Sequence, residues 1–359
     1  MEFIKIIKGK ILSFLNNLYK GNGFFSYSLF SDIYSPDINW GLGNTVFAVK
    51  TYFILRYLDE LDKQVKSDII NFIKHFQRKG GVFRDPLVYR KTFIINKIAA
   101  IKNLNFSNFF SQKTIMAETR QAIVALILFG EKPTEPFVKI PYTFEDVDIF
   151  FNSLDKRNIW GAASHIGHLI FFLKTNADLF NFKKEESNVL INYCLNKIDA
   201  LQDKKDGLWF SNTNFRQKIN AAMKIVSAFN LIKRRIRYAE KIIDFILDIK
   251  DEYYYDACDY LNVMYVLKYA FDTLGKDYRN KDIYFYCERS IEKYKKYFFE
   301  EIGGFSFLPN DNSRKYYGMK VTKRFLGPDI HGTMLFAWAV SLVADILNIN
   351  RENFQEIIN

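Results

Sequence analysis

Three short glycine–aromatic strings recur along this chain, and each of them closes a segment with helical periodicity. Their sequences are QRKGGVF (residues 77–83), QDKKDGLWF (202–210) and EEIGGFSF (300–307). A polar loop follows each string, and then comes another apolar segment with the period of a helix. Helix pairs that repeat around the same turn bury their apolar faces by stacking on the next pair. The sequence therefore predicts an all-α fold, and specifically a single α/α toroid.

Two types of helix alternate in the predicted toroid. One type is apolar except at its N-terminal turn and is expected inside, whereas the other carries charges on one face and is expected outside. The pattern gives about five to six pairs, with roughly 50 to 60 residues in each repeat. We expect one toroid domain over residues 26–359, after a basic amphipathic helix within residues 1–25. Residues 84–113 are predicted to be less regular, and residues 351–359 to form a fraying C-terminal helix.

The charge and composition of the chain limit its partners. The net charge of +11 favours an anionic small molecule, an acidic glycan or a membrane surface. Nucleic acid is not expected, because no helix-turn-helix, zinc-finger or RNP-like pattern is present. Aromatic residues make up 17% of the chain, which suits an isoprenoid or sugar site but would also follow from an AT-rich genome. Three widely spaced cysteines, none in a CxxC pair, predict a reducing and therefore cytoplasmic location.

Residues 1–20 have the pattern of a basic amphipathic helix. Lysines interrupt any signal-peptide core in this segment, and no stretch of the chain has the length and purity of a transmembrane helix. One interpretation is that the apolar side packs against the rest of the protein. The other is that it contacts an anionic membrane, which would make the protein peripheral to the inner face of that membrane. The apolar side comprises Phe3, Ile7, Ile11, Phe14, Leu15 and Leu18.

Polar side chains cluster at the N-terminal turns of the apolar helices. In a toroid these turns surround one mouth of the cavity, and the helix dipoles make that rim suitable for an anion. Capping of a helix explains each of these residues alone, so the set as a whole is the better indication of a site. The set is Asn44, Glu118, Arg120, Ser164, His165, His168, Arg216, Gln217, Asn220, Asp256, Cys258, Asp259, Asp329 and His331.

The glycine–aromatic strings resemble the Q-x3-G-x-W repeat of the terpenoid cyclase and protein prenyltransferase superfamily. Residues 77–83 match this form with Phe83 in place of Trp, and residues 202–209 carry one extra residue before the glycine. The third string has Glu300 at the glutamine position. The resemblance implies an α/α toroid and an enzyme that acts on a prenyl diphosphate or an isoprenoid-linked substrate.

Part of the resemblance concerns zinc. Prenyltransferase β-subunits hold zinc with an Asp-x-Cys pair and a later histidine, and here Asp256, Cys258 and His331 stand at similar positions. The resemblance therefore implies a three-ligand zinc site with one open position, which would activate a bound thiol. A helix cap and a core cysteine explain Asp256 and Cys258 equally well. Otherwise no cofactor is expected.

The family's basic stretch before this aspartate is missing. Its place is taken by residues 250–255, and the remaining candidates for diphosphate contacts are Arg120, Arg216 and Lys250. Class II terpene cyclases protonate their substrates with the middle acid of a D-x-D-D string, where this chain has Cys258. The short acidic string at residues 146–148 is predicted to begin an outer helix. A cyclase initiated by protonation is therefore disfavoured.

Carbohydrate-active enzymes also use α/α toroids, and they are the main alternative. Such a lyase, epimerase or hydrolase would need an acid or base and a cation that neutralises an acidic glycan. His165 and His168 are three residues apart and so share a helix face. A toroid that binds a peptide or protein without catalysis is the third possibility. The candidate catalytic residues are His165, His168, His331, Glu118 and Asp259, and the candidate substrate-binding residues are Arg120, Arg216, Lys250 and Trp160.

Overall fold

The fold is all-α, as the sequence predicts. The computed structural model describes residues 2–103, 112–211, 213–248, 254–275, 277–309, 311–349 and 352–357. Over these ranges the chain forms thirteen α-helices and three two-stranded hairpins. None of the helices in the described ranges is both long and apolar enough to cross a bilayer. A toroidal arrangement of the helices stays a prediction.

The helices and strands of the described residues have the following bounds. The helices are α1 (Glu2–Leu18), α2 (Leu42–Ile54), α3 (Lys63–His75), α4 (Pro86–Asn103), α5 (Gln112–Leu128), α6 (Phe144–Asn152), α7 (Ile159–Phe180), α8 (Lys184–Ala200), α9 (Phe215–Leu231), α10 (Ala239–Leu247), α11 (Ala257–Thr273), α12 (Asn280–Tyr294) and α13 (Ile330–Ile346). The strands are β1 (Gln77–Arg78), β2 (Val82–Phe83), β3 (Phe298–Phe299), β4 (Gly304–Phe305), β5 (Lys315–Tyr316) and β6 (Met319–Lys320).

The chain divides into two compact units, a division that the sequence does not predict. Unit 1 comprises Met1–Thr134, Asp256–Cys258 and Glu288–Ile357, and unit 2 comprises Glu135–Tyr255, Asp259–Cys287 and Ile358–Asn359. Two of the boundaries fall inside helices α11 and α12. A helix has no glycine-rich or polar linker by which a boundary could be recognised in sequence.

Each unit is built on buried helices with half-exposed helices packed against them. In unit 1, α13 packs on α2 and α2 packs on α5, while α1 packs on α13 and α3 on α2. In unit 2, α7 packs on α9 and on α8, and α6 packs on α8. Nearly every residue of α2 and α13 is buried, whereas α3 buries only two. The two predicted types of helix are therefore confirmed.

The glycine–aromatic strings are tight hairpins that follow helices. Gln77 pairs with Phe83, Gln202 with Trp209, and Phe298 with Phe305. Glu300 was therefore the wrong equivalent of the glutamine, because the register places Phe298 at that position. Two residues before the paired aromatic, each hairpin has a glycine with a positive φ, which only glycine adopts without strain.

A fourth hairpin of the same kind follows α1, and the sequence analysis missed it. Tyr19 pairs with Phe25, and Gly23 has a φ of +77° at the equivalent position. A side chain on Gly23 would also overlap with the backbone of α3 at Asp68. This hairpin is hard to recognise in the sequence because it lacks the glutamine that begins the first two strings. Tyr19 stands at that position.

Threonine side chains join two of the hairpins to buried helices. The Oγ1 atom of Thr119 accepts a hydrogen bond from the Phe83 N–H (3.1 Å) and donates one to the Phe83 carbonyl (3.2 Å). Thr333 makes the same pair of bonds with Phe305, at 3.0 and 3.2 Å. These bonds fix the position of α5 and α13 relative to the hairpins that precede them, and thereby the position of the polar residues near their N-termini.

Residues 86–103 form the helix α4, so the prediction of a less regular segment was wrong for this stretch. The Oδ1 atom of Asp85 accepts hydrogen bonds from the N–H groups of Leu87 (3.0 Å) and Val88 (3.1 Å). Pro86 stands at the first helical position, where its missing N–H is not needed. An Asp-Pro pair was thus a helix start that the sequence analysis overlooked.

The C-terminal tail is also different from the prediction. Residues 352–357 form a turn and an extended segment rather than a helix. The Gln355 N–H donates to the Ile54 carbonyl (2.8 Å), and its Nε2 donates to the Phe53 carbonyl (2.7 Å). The tail therefore satisfies carbonyl groups at the end of α2, which a helix leaves without intrahelical partners.

The apolar face of α1 is buried. Ile4, Ile7, Ile11, Phe14, Leu15 and Leu18 are all fully covered, and the helix packs against α13 and β4. Lys10 forms an ion pair with Glu300 at 2.9 Å. This arrangement favours the packing interpretation of residues 1–20 over the membrane interpretation, because the apolar side chains are not available to lipid.

Candidate functional site

The predicted site residues are distributed over both units. Glu118, Arg120, Asp256, Cys258 and His331 belong to unit 1. The unit 2 residues are Trp160, His165, His168, Arg216 and Asp259. Lys250 lies outside the described residues.

Asp85 organises the centre of unit 1. Besides capping α4, its Oδ2 atom accepts hydrogen bonds from the N–H groups of Gly41 (2.7 Å) and Leu42 (3.3 Å) at the start of α2. Burial raises the pKa of Asp85, and the four backbone donors oppose that rise. One carboxylate therefore serves the first turns of two helices. The sequence analysis missed Asp85 because it lies outside the predicted helices.

Glu118 lies close to Asp85 but differs from it in hydrogen bonding. Only 1% of its surface is exposed, and neither carboxyl oxygen has a hydrogen-bond partner among the described residues. Burial raises the pKa of Glu118 well above its usual range, and the Asp85 carboxylate raises it further. The Asp85 N–H and the Arg84 guanidinium oppose this rise only in part, and the N–H lies outside hydrogen-bond geometry with either Glu118 oxygen. These surroundings favour the neutral, protonated form of the carboxyl group.

Two tyrosines of the β5–β6 hairpin lie near Glu118. Tyr316 is buried, and its pKa is raised well above its usual range by burial and then by Tyr317, Glu118 and Asp85. Tyr317 exposes 37% of its surface and interacts electrostatically with Glu118 and Arg120. Arg120 is buried two residues after Glu118 on the same helix. The hairpin thus brings two phenol groups to a buried acid and a buried cation.

The turn of this hairpin is strained at Tyr317. Tyr317 has a φ of +47° and Gly318 a φ of +85°, so both central residues are left-handed. Glycine and asparagine are usual in such a turn, whereas a tyrosine there costs of order 1–3 kcal/mol. A strained aromatic residue beside a buried acid indicates a functional position.

A row of aromatic rings runs from Tyr316 to His331. The Tyr316 ring contacts Phe47 edge to face at 5.9 Å between centroids, and Phe47 stacks on His331 at 4.5 Å. On its other side, His331 stacks on Phe307 at 5.0 Å. The imidazole is therefore part of an aromatic stack. The catalytic and zinc-binding roles of His331 stay predictions.

Asp329 holds the start of α13 beside this row. Its carboxylate accepts hydrogen bonds from the N–H groups of Gly332 (2.8 Å), Phe307 (2.9 Å) and Ser313 (2.8 Å). Burial raises the pKa of Asp329 to about 6, although the backbone donors oppose the rise. Asp329 is thus the N-cap residue of α13 and also ties down the loop that carries Phe307.

The proposed zinc ligands have other roles in unit 1. The Asp256 carboxylate accepts a hydrogen bond from the Cys258 N–H (2.9 Å) at the start of α11, as a capping residue does. Over the described ranges, no group of three or more His, Cys, Asp or Glu side chains is arranged to hold a metal ion. The zinc site of Asp256, Cys258 and His331 therefore lacks geometric support and stays a prediction.

In unit 2, two candidates with different predicted roles form an ion pair. Arg216 Nε lies 2.7 Å from Asp259 Oδ1, and Asp259 Oδ2 accepts a hydrogen bond from the Tyr255 N–H (3.0 Å). The Asp259 carboxylate is therefore held in place by a cation and a backbone donor.

The two histidines and the tryptophan of unit 2 lie on α7. The rings of His165 and His168 meet edge to face with centroids 6.2 Å apart, so the predicted shared face is confirmed. His168 is buried and also contacts Phe172, whereas Trp160 is partly exposed at the start of the helix.

Comparisons with known proteins give no further guide to this site. The chain matches no protein-family model, no curated protein and no solved structure. The resemblance to the terpenoid cyclase and prenyltransferase superfamily therefore rests on the glycine–aromatic strings alone. The geometry around Glu118 is therefore the main indication of function.

Proposed function

We propose that the protein is an enzyme that uses Glu118 as a general acid on an isoprenoid substrate. One observation supports this most directly: Glu118 is a buried carboxyl group whose two oxygens have no hydrogen-bond partner among the described residues. A structural carboxylate is normally paired, as Asp85 is, because an unpaired buried charge is costly. A carboxyl group that its surroundings keep neutral carries the proton that general-acid catalysis requires.

The surroundings of Glu118 suit a substrate that becomes positively charged. Proton transfer from the Glu118 carboxyl group to a carbon–carbon double bond forms a C–H bond and leaves a carbocation beside a carboxylate. Aromatic faces stabilise cations and, unlike carboxylates, do not trap them. Phe47 and Tyr316 supply such faces, and they form part of the row described above. Arg84 lies close enough to stabilise the Glu118 carboxylate after it has lost its proton.

A cyclase initiated by protonation becomes the favoured type of enzyme, in contrast to the expectation from the sequence. The sequence alone disfavours such a cyclase because Cys258 stands where the usual acid would be. Glu118 would supply the missing acid from another helix, α5. Arg120 is the nearest predicted contact for a diphosphate on the same helix. A prenyl diphosphate and an uncharged polyene both remain within the proposed substrate class.

The carbohydrate alternative would need a second catalytic group beside Glu118. Asp85 is the neighbouring carboxylate, but it already accepts four backbone hydrogen bonds and caps two helices. A glycosidase with this carboxylate pair is therefore disfavoured. Lyase or epimerase chemistry at His165 and His168 stays a prediction, as does the binding protein without catalysis.

The substitution Glu118→Gln tests the proposed function. The purified protein would be incubated with farnesyl and geranylgeranyl diphosphate and with squalene, and the products would be identified by mass spectrometry. We expect conversion of one of these substrates, and a loss of about 10²- to 10⁴-fold in rate in the variant. Glu145→Gln is the matched control, because Glu145 is exposed in its helix and its replacement should leave the rate unchanged. Equal rates in wild type and Glu118→Gln would overturn the role of Glu118.

A further inference from the structure

Helix α4 exposes a stripe of isoleucines. Ile94, Ile98 and Ile101 have 54%, 61% and 65% of their surfaces exposed, and Ile95 has 40%. Spacings of three and four residues place Ile94, Ile98 and Ile101 on one face of the helix. Large apolar side chains that are exposed singly need no explanation, but a contiguous row of them indicates a surface that another phase or molecule covers.

Basic residues border this stripe on both sides. Lys91 and Lys102 follow one edge of the isoleucine row on the helical wheel, and Arg90 and Lys97 follow the other. Residues 86–103 contain no aspartate or glutamate. The helix therefore combines an apolar centre with two basic margins and carries no opposing charge.

The other side of α4 accounts for its packing in unit 1. Leu87, Val88 and Thr92 are buried, and the helix contacts α5 and β6. A β-carbon added to Gly318, in the turn of the β5–β6 hairpin, would lie 3.9 Å from the Cγ2 atom of Ile95. The exposed stripe is thus not needed to hold the helix in place, and it lies beside the hairpin that carries Tyr316 and Tyr317.

We infer that α4 docks the protein on an anionic lipid surface. The isoleucine stripe would enter the boundary between headgroups and acyl chains, while the lysine and arginine side chains extend outward to the phosphate groups. Lysine is depleted in protein–protein interfaces, which instead favour aromatic anchors, and the exposed stripe of α4 contains no aromatic residue. Charge complementarity therefore favours a bilayer over a protein partner. This inference does not depend on the proposed function.

The inferred membrane contact differs from the one that the sequence predicts. There the apolar side of residues 1–20 was the candidate, and the structure buries that side. The apolar positions of α4 were not recognised because the whole segment was predicted to be irregular. Docking through α4 would bring the β5–β6 hairpin to the bilayer, where an isoprenoid substrate would be dissolved.

Vesicle flotation with the full-length protein tests this inference. The vesicles would consist of phosphatidylcholine alone or of equimolar phosphatidylcholine and phosphatidylglycerol. We expect the wild-type protein to float with the anionic vesicles and to be released by high salt. The double variant Ile98→Asn/Ile101→Asn should bind these vesicles at least about tenfold more weakly, because two apolar contacts are lost. The variant Lys91→Gln/Lys102→Gln should bind them more weakly, with less dependence on salt.

Ile149→Asn provides the matched control. Ile149 is a similarly exposed isoleucine, at 60%, on α6, whose first turn carries the acidic residues Glu145 and Asp146. Its replacement should leave vesicle binding unchanged. The inference would be overturned if the wild-type protein bound neither kind of vesicle, or if Ile149→Asn weakened binding as much as the α4 variant. Self-association in solution that the α4 variant abolishes would also overturn it, in favour of a second copy of the chain.

Discussion

Glu118 and Asp85 are neighbouring buried carboxyl groups with opposite hydrogen bonding. Asp85 accepts four backbone hydrogen bonds at the starts of two helices, whereas Glu118 accepts none from the described residues. The pair therefore separates two roles that carboxyl groups can have in a protein interior. Asp85 holds two helix starts together by accepting backbone hydrogen bonds, whereas burial favours the neutral form of Glu118, the group that we propose as the proton donor.

Asp85→Ala should destabilise the protein by about 3 kcal/mol, because it leaves buried N–H groups at two helix starts without acceptors. Urea unfolding followed by circular dichroism measures the change. Asp62→Ala is a suitable comparison, since Asp62 caps only α3 and is exposed. It should cost about 1 kcal/mol. Equal effects of the two substitutions would contradict the double role of Asp85.

The pH dependence of stability should depend on Asp329. Its folded pKa of about 6 lies above its usual value of 3.8, so the folded state holds the proton more tightly. This contribution is complete below the lower pKa and is lost as the pH rises through the higher one. Between pH ~4 and ~6, wild type should lose about 3 kcal/mol relative to Asp329→Asn, whose side chain does not titrate. Urea unfolding of both proteins across this pH range gives the difference, and parallel curves would contradict the prediction.

Gly43→Ala should destabilise the protein by about 1–3 kcal/mol. A β-carbon at Gly43 would overlap with the ring and the hydroxyl group of Tyr316, so the β5–β6 hairpin would have to move. Gly9→Ala makes the same change in α1, where nothing lies within 4 Å of the new carbon. That substitution should stabilise the helix by about 0.5–1 kcal/mol. Thermal unfolding of the two variants tests whether the signs differ.

Tyr317→Asn should separate stability from activity. Asparagine tolerates the left-handed conformation better than tyrosine, so we expect the melting temperature to be unchanged or higher. The phenol group beside Glu118 and Arg120 would be lost, so turnover of the isoprenoid substrate should fall. A variant that is less stable but fully active would show that the position is purely structural. Differential scanning fluorimetry and the product assay give the two measurements.

The zinc prediction can be tested independently of any activity. If Asp256, Cys258 and His331 hold zinc, chelator-washed protein should contain one zinc atom per chain that depends on Cys258, and protein without zinc would contradict this ligand set. Elemental mass spectrometry of wild type and Cys258→Ala provides the measurement. One zinc atom in each wild-type chain, lost in the variant, would re-establish the predicted ligand set.

Some features of the site could be predicted from sequence. Glu118, Arg120 and His331 are all among the predicted site residues, because the sequence pattern places each of them at the N-terminal turn of an apolar helix. Asp85 and the two tyrosines of the β5–β6 hairpin were not, since nothing local distinguishes them from ordinary loop residues. The residues around Glu118 come from segments that are far apart in the chain. The spacing of residues within one helix carries no information about such contacts.

The sequence by itself determined most of the helices and the positions of three glycine–aromatic strings between them. Helical periodicity is a local property, and glycine can adopt the left-handed conformation that the turns of these strings require. Only the tertiary structure decided which polar groups are paired and which are not. The burial of α1, the exposure of the α4 isoleucines and the isolation of Glu118 all depend on what packs against each helix, because the free energy of a side chain is set by its neighbours in space.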